Sequence, residues 1–367
     1  MVKIYISTYH NVQNFGAALQ SYALQSFLGK LGYENELIKI KLSTKVVKKR
    51  FFDKERILRI INSVYNALHR KQILQGEQRF LQFFDNYHKT TAEYGNYEEL
   101  LQNPPSDGIY LSGSDQVFNP VNIKPEFFLQ FGDNNTRRIS YAASVGVNSV
   151  PAQNKDTFKK YISAFDSISI RESYSRNLLK EYTKKNIDVN IDPSFLLTKE
   201  EWDSISSDSV SSAINEPYIL VYAIYKPKWM NEVLKKLYRE TKCKIVLVTY
   251  KNFRPIFCNK CIMNAGPREF LSLIKNAEMV ISSSYHGNVF ATVFEKPFYA
   301  IVNPDSPARI MSMLELFKLE KRVLTPETDI DFNVDYTEMK NILEKERIKS
   351  KEYLVSAIEG DSHDKHK

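Results

Sequence analysis

Short apolar strands alternate with amphipathic helices in two successive series, and this alternation constrains the fold more than any other feature of the chain. The first series opens with the strand KIYIST at 3–8, continues with a helix at 14–32 and closes with DVNIDPSFLL at 188–197. The second series begins with the strand YILVYAI at 218–224 and contains EMVISSS at 278–284. Repeated strand–helix–strand units form parallel sheets that helices cover. The pattern therefore predicts an α/β protein with two parallel sheets.

The length of 367 residues and the hydrophobic fraction of 43% suit two domains with buried cores. Periodicity and composition then suggest where the chain divides. The predicted organisation is an N-terminal domain at 1–197 with a basic helical insertion at about 41–87, a linker rich in Ser, Asp and Glu at 198–217, a C-terminal domain at 218–335, a terminal helix at 336–358 and a flexible tail at 359–367.

Composition disfavours several classes of protein. No apolar run approaches the length of a membrane span, and the first residues enter a strand directly, so we expect a cytoplasmic protein without a signal peptide or transmembrane anchor. The three cysteines indicate no disulfide framework. Cys258 and Cys261 form CNKC, but no second Cys or His pair follows at ligand spacing. We therefore predict no metal site.

Positive charge is concentrated in one segment. The stretch 39–71 holds eleven Lys and Arg against Asp53 and Glu55, a local charge of +9 in a chain of net charge +8. No zinc finger, helix-turn-helix or RNA-binding signature accompanies it, so nucleic acid is not an expected partner. One helical face of the segment is apolar, with Ile57, Ile60, Ile61, Val64 and Leu68. Two interpretations stay open: this face contacts an anionic membrane surface, or it packs on the first domain and leaves the cations in water.

His286 lies between the predicted strand EMVIS and the predicted helix NVFATVF, with serines at 282–284 directly before it. Ligands of parallel sheets bind at the carboxyl ends of the strands, and a helix N-terminus there offers free N–H groups to an anion. A histidine beside an anion can act as general acid or base. A capping or core histidine is the alternative interpretation of the same position.

Three other strand ends carry polar residues. Asn14 and Gly16 open a helix after the first strand, and Gly16 would permit a close backbone approach, although a tight turn alone would also explain it. Arg171 and Glu172 follow a later strand, where the arginine could hold a carboxylate or phosphate or simply form an ion pair with Glu172. After the strand IYL, a binding loop or a capped turn would account for Ser112, Ser114, Asp115 and Gln116.

Seven segments, in the same order along the chain, resemble the polysaccharide pyruvyl transferase family. They are NFGAALQSYAL, GSDQVFNP, ISYAASVG, SISIRESYSRNLL, DPSFLL, GPREFLSLIKNAEMVISSSYHGNVFATVFEKPF and ARIMSMLELFKL. The resemblance extends from about Lys3 to about Leu324. Its most diagnostic part is SSYHGxxFxxxFxKPF, which contains His286.

The resemblance implies two Rossmann-like domains in a GT-B-like arrangement, with the site in an interdomain cleft. It implies transfer of pyruvate from phosphoenolpyruvate to two hydroxyls of one sugar, which forms a cyclic ketal and releases phosphate. Phosphoenolpyruvate is then a co-substrate, and no cofactor is expected. Family members act in bacterial capsule and cell-wall assembly, so we also expect a polyprenyl-linked sugar acceptor and a peripheral position at the inner face of the cell membrane.

The same resemblance assigns roles to residues. His286 is expected to transfer protons, with Asp115 or Glu172 orienting it or accepting a hydroxyl proton. Some relatives carry arginine at the position of Ser284, so the phosphate contact would pass to Arg171, Arg268 or Arg309. The expected phosphoenolpyruvate-binding residues are Arg171, Ser283, Ser284, Tyr285, Gly287 and Asn288, and the expected acceptor or cleft residues are Asn14, Gly16, Ser114, Gln116 and Ser144.

Two other functions are compatible with the sequence. A GT-B glycosyltransferase that uses a nucleotide sugar would have the same fold. It would release a nucleotide, whereas a pyruvyl transferase releases phosphate from phosphoenolpyruvate. A non-catalytic binding protein of a polysaccharide assembly complex would bind ligand without turnover, and the presence of Arg171 and His286 argues against it.

Overall fold

The computed structural model describes residues 2–41, 53–250 and 255–360, and of residues 53–59 it describes the backbone alone. Part of the basic segment lies outside the described residues, namely Lys45, Lys48, Lys49 and Arg50, and so do the side chains of Lys54, Arg56, Ile57 and Arg59. The predicted tail beyond Gly360 also lies outside them.

The first sheet is parallel, with the strand order β2-β1-β3-β4. Its strands are β1 (Lys3–Ser7), β2 (Asn35–Leu37), β3 (Gly108–Ser112) and β4 (Arg138–Ser140). Two further parallel strands, β5 (Ile168–Ile170) and β6 (Ile187–Val189), continue it, because the Ser140 amide donates to the Ser167 carbonyl at 3.0 Å.

Two strands of this sheet are shorter than the sequence pattern predicts, since that pattern indicates strands over NELIKI at 35–40 and over RRISYAASVG at 137–146. After Leu37 the chain turns to a different partner, and the Tyr94 amide donates to the Lys39 carbonyl at 2.8 Å. The strand predicted at 137–146 ends at Ser140, because Ala142 adopts a left-handed backbone (φ 48°) that interrupts the pairing before Ala143.

The second sheet is also parallel, with the order β11-β10-β7-β8-β9. Its strands are β7 (Tyr218–Tyr222), β8 (Lys244–Val248), β9 (Lys260–Ile262), β10 (Met279–Ser282) and β11 (Phe298–Ala300). The central strands β7 and β10 are buried along their whole length, as expected for a sheet covered on both faces. The prediction of two parallel sheets is confirmed.

Helices cover both sheets. The first of them begins where Asn14 accepts a hydrogen bond from the Ala17 amide at 3.2 Å, and it ends shortly before Gly32, whose φ of 89° suits a chain reversal. The helices are α1 (Phe15–Lys30), α2 (Asp53–Leu68), α3 (Arg70–Tyr87), α4 (Tyr97–Gln102), α5 (Lys155–Ser163), α6 (Ser175–Lys180), α7 (Lys199–Ile205), α8 (Met230–Thr241), α9 (Pro267–Lys275), α10 (Tyr285–Val293), α11 (Ala308–Leu316) and α12 (Thr337–Glu359).

One apolar cluster packs between the two sheets and holds them together. It contains Ile4 and Ile6 of β1 as well as Leu220 of β7. At its centre Phe15 of α1 stacks on Phe270 of α9, with ring centroids 4.3 Å apart. Each sheet also has a separate cluster on its other face. Packing between the sheets therefore fixes the position of the first helix relative to the second half of the chain.

Two segments connect the halves of the molecule. The segment predicted as a linker contains α7, which begins at a capping box formed by Thr198 and Glu201 and buries Trp202 completely. The last helix, α12, returns to the first sheet, where the Tyr353 hydroxyl donates to the Ser140 carbonyl at 2.8 Å. Both segments therefore pack on the rest of the chain, and the first of them contains a helix within the predicted linker.

Candidate active site

A cleft of about 510 Å³ opens at the carboxyl ends of strands from both sheets. The loops after β1 and β3 form one wall, with side chains such as Asn14 and Asp115. The loops after β7 and β10 and the start of α11 form the opposite wall. This is the position at which parallel sheets bind ligands.

His286 lies in the first turn of α10, directly after β10, and lines the cleft while its side chain is mostly buried. Its ring packs against the first turn of α1. A Cβ added to Gly16 would lie 2.1 Å from His286 Nδ1, so only glycine permits this approach. The amides that begin α10 have no helical partners, and they lie beside the same cleft.

Asp192 lies at the turn after β6 and next to His286. Its Oδ2 lies 3.4 Å from His286 Nε2, an ion-pair distance, and 2.7 Å from Arg171 Nη1. Its Oδ1 accepts a hydrogen bond from the Ser194 amide at 2.9 Å. Burial alone would raise the pKa of the Asp192 carboxyl, but His286, Arg171 and this amide outweigh burial and hold the pKa well below its usual range. Asp192 is therefore a buried carboxylate that can orient the imidazole and stabilise its protonated form.

Arg171 lies beneath the cleft and not on its surface. Its guanidinium contacts Glu172 as well as Asp192, with Nε donating to Glu172 Oε1 at 3.0 Å. The ring of Tyr285 covers it, with the guanidinium carbon 4.0 Å from the ring centroid. Glu172 also accepts a hydrogen bond from the Ser144 hydroxyl at 2.7 Å. Arg171 is thus paired with two carboxylates and separated from the cleft by Tyr285.

Arg309, at the start of α11, lines the cleft and is only partly buried. Its Nη2 lies 3.7 Å from Asp115 Oδ1, and its Nε lies 4.0 Å from Glu172 Oε1, so neither carboxylate makes a close bidentate pair with it. Arg268, the third cation considered from the sequence, donates from Nε to the Ile205 carbonyl at 2.7 Å and does not line the cleft.

The structure divides the predicted site residues into three groups. Those that line the cleft are Asn14, Asp115, Gln116, Ser283, Ser284, Tyr285 and His286. Those in the buried polar network beneath it are Ser114, Ser144, Arg171 and Glu172. Gly16, Gly287 and Asn288 belong to the first turns of α1 and α10 and are buried. Packing explains why position 287 is a glycine, since a Cβ there would lie 2.2 Å from Ser282 Oγ.

Sequence reasoning missed Asp192 as a site residue, although it noted the DPSFLL segment. The available signal was an aspartate at a strand end, before a proline that begins a helical turn. Tyr9 and Tyr225 also line the cleft. Sequence reasoning missed them because their loops carry no recognisable motif. Burial, with Asp115 and Glu126, raises the pKa of Tyr9 to about 12, so its hydroxyl keeps its proton at neutral pH.

The described part of the chain includes the candidate site and every helix named above. No group of three or more His, Cys, Asp and Glu side chains there is arranged to hold a metal ion. None of the helices there is both long and apolar enough to cross a bilayer.

Comparison with known proteins identifies the class and then the family. The chain resembles the solved structure of a UDP-N-acetylglucosamine 2-epimerase from Rickettsia bellii, with a TM-score of 0.53 and 9% identity over 98% of this chain and 97% of that one. It resembles a protein from Listeria monocytogenes assigned to the same activity, with a TM-score of 0.51 and 12% identity over 96% and 89% of the two chains. At such identities the likeness shows the fold alone, and it confirms two Rossmann-like domains in a GT-B-like arrangement.

A sequence profile of the family described as polysaccharide pyruvyl transferase matches residues 14–306. The chain belongs to the polysaccharide pyruvyl transferase family. A search of curated proteins found no match.

Proposed function

We propose that the protein transfers pyruvate from phosphoenolpyruvate to two hydroxyls of one sugar in a polysaccharide precursor. The observation that carries this proposal is the convergence of His286, paired with Asp192, and Arg309 on one cleft in a member of this family. A titratable imidazole next to a cation suits a donor that carries a phosphate and must gain a proton.

The donor needs counter-charges for a phosphate and a carboxylate. Arg309 is proposed to contact one of them, because its guanidinium faces the cleft without a close carboxylate partner. The first amides of α10 and the hydroxyl of Ser284 would contact the other. Arg171 is proposed as a positioning residue, since Glu172 and Asp192 already pair with its guanidinium.

The reaction requires two additions to one carbon. C3 of the enol gains a proton while the first sugar hydroxyl attacks C2 and loses its own proton. Phosphate then leaves, and the second hydroxyl attacks the same carbon to close the ketal. His286 is proposed to exchange protons in both additions, with Asp192 stabilising the imidazolium between them. Asp115 lines the cleft and is a second candidate for accepting a hydroxyl proton.

The acceptor is proposed to be carried by a lipid at a membrane surface. Four apolar residues of α2, Ile60, Ile61, Val64 and Leu68, are 42–78% exposed and do not pack on the first domain. They belong to the segment with the local charge of +9. An exposed apolar face within a basic segment has the chemistry that binds an anionic bilayer.

The test is incubation with phosphoenolpyruvate and a panel of nitrophenyl and lipid-linked sugars, followed by mass detection of a pyruvyl adduct. The expected product retains three carbons of pyruvate, and one phosphate is released for each product. Transfer of a sugar from a nucleotide sugar, without phosphoenolpyruvate, would favour a glycosyltransferase. Tight binding of phosphoenolpyruvate and sugar without any product would favour a binding protein.

A further inference from the structure

A second cavity of about 360 Å³ lies next to the cleft, on the other side of the loop that follows β1. Consecutive residues of this loop face the two spaces, since Tyr9 lines the cleft and His10 lines the second cavity. Neighbouring Cα atoms are only about 3.8 Å apart, so one loop separates two binding-sized spaces. The residues placed in the proposed reaction do not line this cavity.

His10 lines this cavity and carries a buried hydrogen-bond acceptor. Its Nδ1 lies 2.9 Å from the Thr8 carbonyl oxygen, which can only accept, so Nδ1 carries the proton. Its Nε2 therefore carries a lone pair, and it is buried without a partner among the described residues. The side chain as a whole is 5% exposed. A buried acceptor without a donor is costly unless a ligand supplies one.

His88 presents a second acceptor by the same reasoning. Its Nε2 lies 2.9 Å from Ser21 Oγ, and that hydroxyl lies within 3.0 Å of the Ala17 and Ala18 carbonyls. The hydroxyl proton serves a carbonyl, so Ser21 Oγ accepts from His88 Nε2–H, and Nδ1 holds the lone pair. His88 Nδ1 is also buried without a partner in the described part of the chain.

Both imidazoles are neutral at physiological pH. Burial lowers the pKa of His10 to about 4 and that of His88 to about 3. The carboxylates of Asp85 and Glu93 line the cavity as further acceptors, and Lys39 and Asn11 add donors. Phe84 contributes an apolar surface.

This combination selects the chemistry of a ligand. Two imidazole lone pairs and two carboxylates accept hydrogen bonds, so the ligand has to donate several of them. The two carboxylates Asp85 and Glu93 outnumber the one cation of the lining, Lys39, so an anion would meet a net negative charge. A metal ion would need a tighter ligand cluster than the described residues provide. A sugar satisfies the pattern, since it donates several hydroxyls and has an apolar ring face for Phe84.

We propose that the second cavity binds sugar residues of the acceptor that adjoin the reacting sugar. This subsite rests on the proposed function, because the reacting sugar is assigned to the neighbouring cleft. It would make the enzyme select acceptors of more than one sugar, and it would hold the acceptor across the loop of Tyr9 and His10.

The test measures saccharide binding separately from catalysis. Saturation-transfer NMR and calorimetry would compare mono- to tetrasaccharides of glucose, galactose, mannose and N-acetylglucosamine. Two variants fill or spare the cavity: Thr90→Trp places a large ring at its exposed rim, and Ala92→Trp places the same ring on the nearby surface. His88→Leu removes one acceptor. We expect at least one longer saccharide to bind about tenfold more tightly than its monosaccharide, since a tenfold gain needs only one or two net hydrogen bonds.

The expected gain disappears in Thr90→Trp and His88→Leu and persists in Ala92→Trp. No saccharide binding by the parent protein would overturn the subsite, as would an equal gain in Thr90→Trp and Ala92→Trp. Displacement of bound saccharide by EDTA would assign the cavity to a metal ion instead. A cavity-dependent gain in a protein that never consumes phosphoenolpyruvate would leave the subsite standing and refute the proposed reaction.

Discussion

His286 lies between a carboxylate and the first turn of a helix, and both neighbours bear on its chemistry. Asp192 faces Nε2, and Gly16 lies against the edge of the ring that carries Nδ1. The first arrangement favours a proton on Nε2 and leaves Nδ1 as the ring nitrogen that can exchange one. A histidine held in this way can exchange a proton with a ligand in the cleft through Nδ1.

Replacement of His286 by Gln tests its role in proton transfer. General acid–base groups typically contribute about 10²–10⁴-fold, so we expect kcat for pyruvyl transfer to fall in that range. The KM for phosphoenolpyruvate and the melting temperature should change little. The matched control is His69→Gln, because His69 lies between α2 and α3 and does not line the cleft. Near-parental kcat in His286→Gln, or loss of the fold, would support a structural histidine.

Substitutions of Arg309 and Arg171 should affect the KM for phosphoenolpyruvate differently. Arg309 faces the cleft, so Arg309→Ala should raise the KM for phosphoenolpyruvate by about tenfold to a hundredfold, the usual effect of losing a charge-assisted hydrogen bond. Arg268→Ala removes an equal charge outside the cleft and should leave KM unchanged. The measurement is donor titration. If Arg309→Ala leaves KM unchanged and Arg171→Lys raises it, the donor contact belongs to Arg171.

Asp192→Asn tests whether the buried carboxylate positions His286. His286 and Arg171 hold the pKa of Asp192 below its usual value of 3.8, so its charge stabilises the native state above about pH 4, and that contribution is lost as the pH falls further. The variant should therefore lose more unfolding free energy at pH 7 than near pH 3, measured by urea titration. It should also lower kcat with little change in KM. A stability loss equal at both pH values would contradict the assigned charge.

At the scale of elements, sequence periodicity predicted most strands and helices because each is strongly apolar on the buried face. It could not predict where β2 and β4 end, since those ends depend on a new pairing partner for Lys39 and on the backbone of Ala142. Periodicity did predict that His286 lines a cleft, because ligands of parallel sheets bind at the carboxyl ends of the strands. It did not predict that Tyr285 would cover Arg171, because that contact joins an element of each sheet.

The exposed face of α2 leads to a prediction about membranes. Val64 and Leu68 are 55% and 78% exposed, so Val64→Glu with Leu68→Glu should not change stability. Burial of such side chains in a bilayer is worth about 1.5–3 kcal/mol each, so binding to anionic vesicles should fall at least about tenfold. Flotation with phosphatidylglycerol vesicles measures this. Activity on a soluble acceptor should survive.

The control for α2 is Ile348→Glu, which changes an equally exposed apolar residue on α12. Its vesicle binding should equal that of the parent. If the α2 variant binds the vesicles as tightly as the parent protein does, the membrane proposal is wrong. A parent that is dimeric and an α2 variant that is monomeric would assign the face to a second copy of the chain.

At the scale of the whole molecule, the two sheets share one apolar cluster and the last helix returns to the first sheet. Phe15 of the first half packs on Phe270 of the second, and Arg137 Nε donates to the Ala357 carbonyl at 2.7 Å. Opening the cleft by separating the halves would expose this cluster to water. The walls of the cleft are therefore expected to be held at a fixed separation, and unfolding of one half should expose the apolar surface of the other.

The two tryptophans allow this coupling to be measured. Trp202 is fully buried in the shared cluster, and Trp229 packs against the separate cluster of the second sheet. The Trp229→Phe variant leaves Trp202 as the only fluorescent tryptophan, and the Trp202→Phe variant leaves Trp229. In each variant, urea unfolding followed by fluorescence and by circular dichroism should give the same midpoint, as a single cooperative transition requires.

Adding Phe270→Ala should destabilise by about 3–5 kcal/mol, the usual cost of removing a buried phenylalanine, and should shift both reporters together. Phe257→Ala, a half-buried residue beside the second cluster alone, is the control and should shift them less. A Trp229 transition that precedes the Trp202 transition would mean that the halves unfold independently, and the cleft would then be free to open.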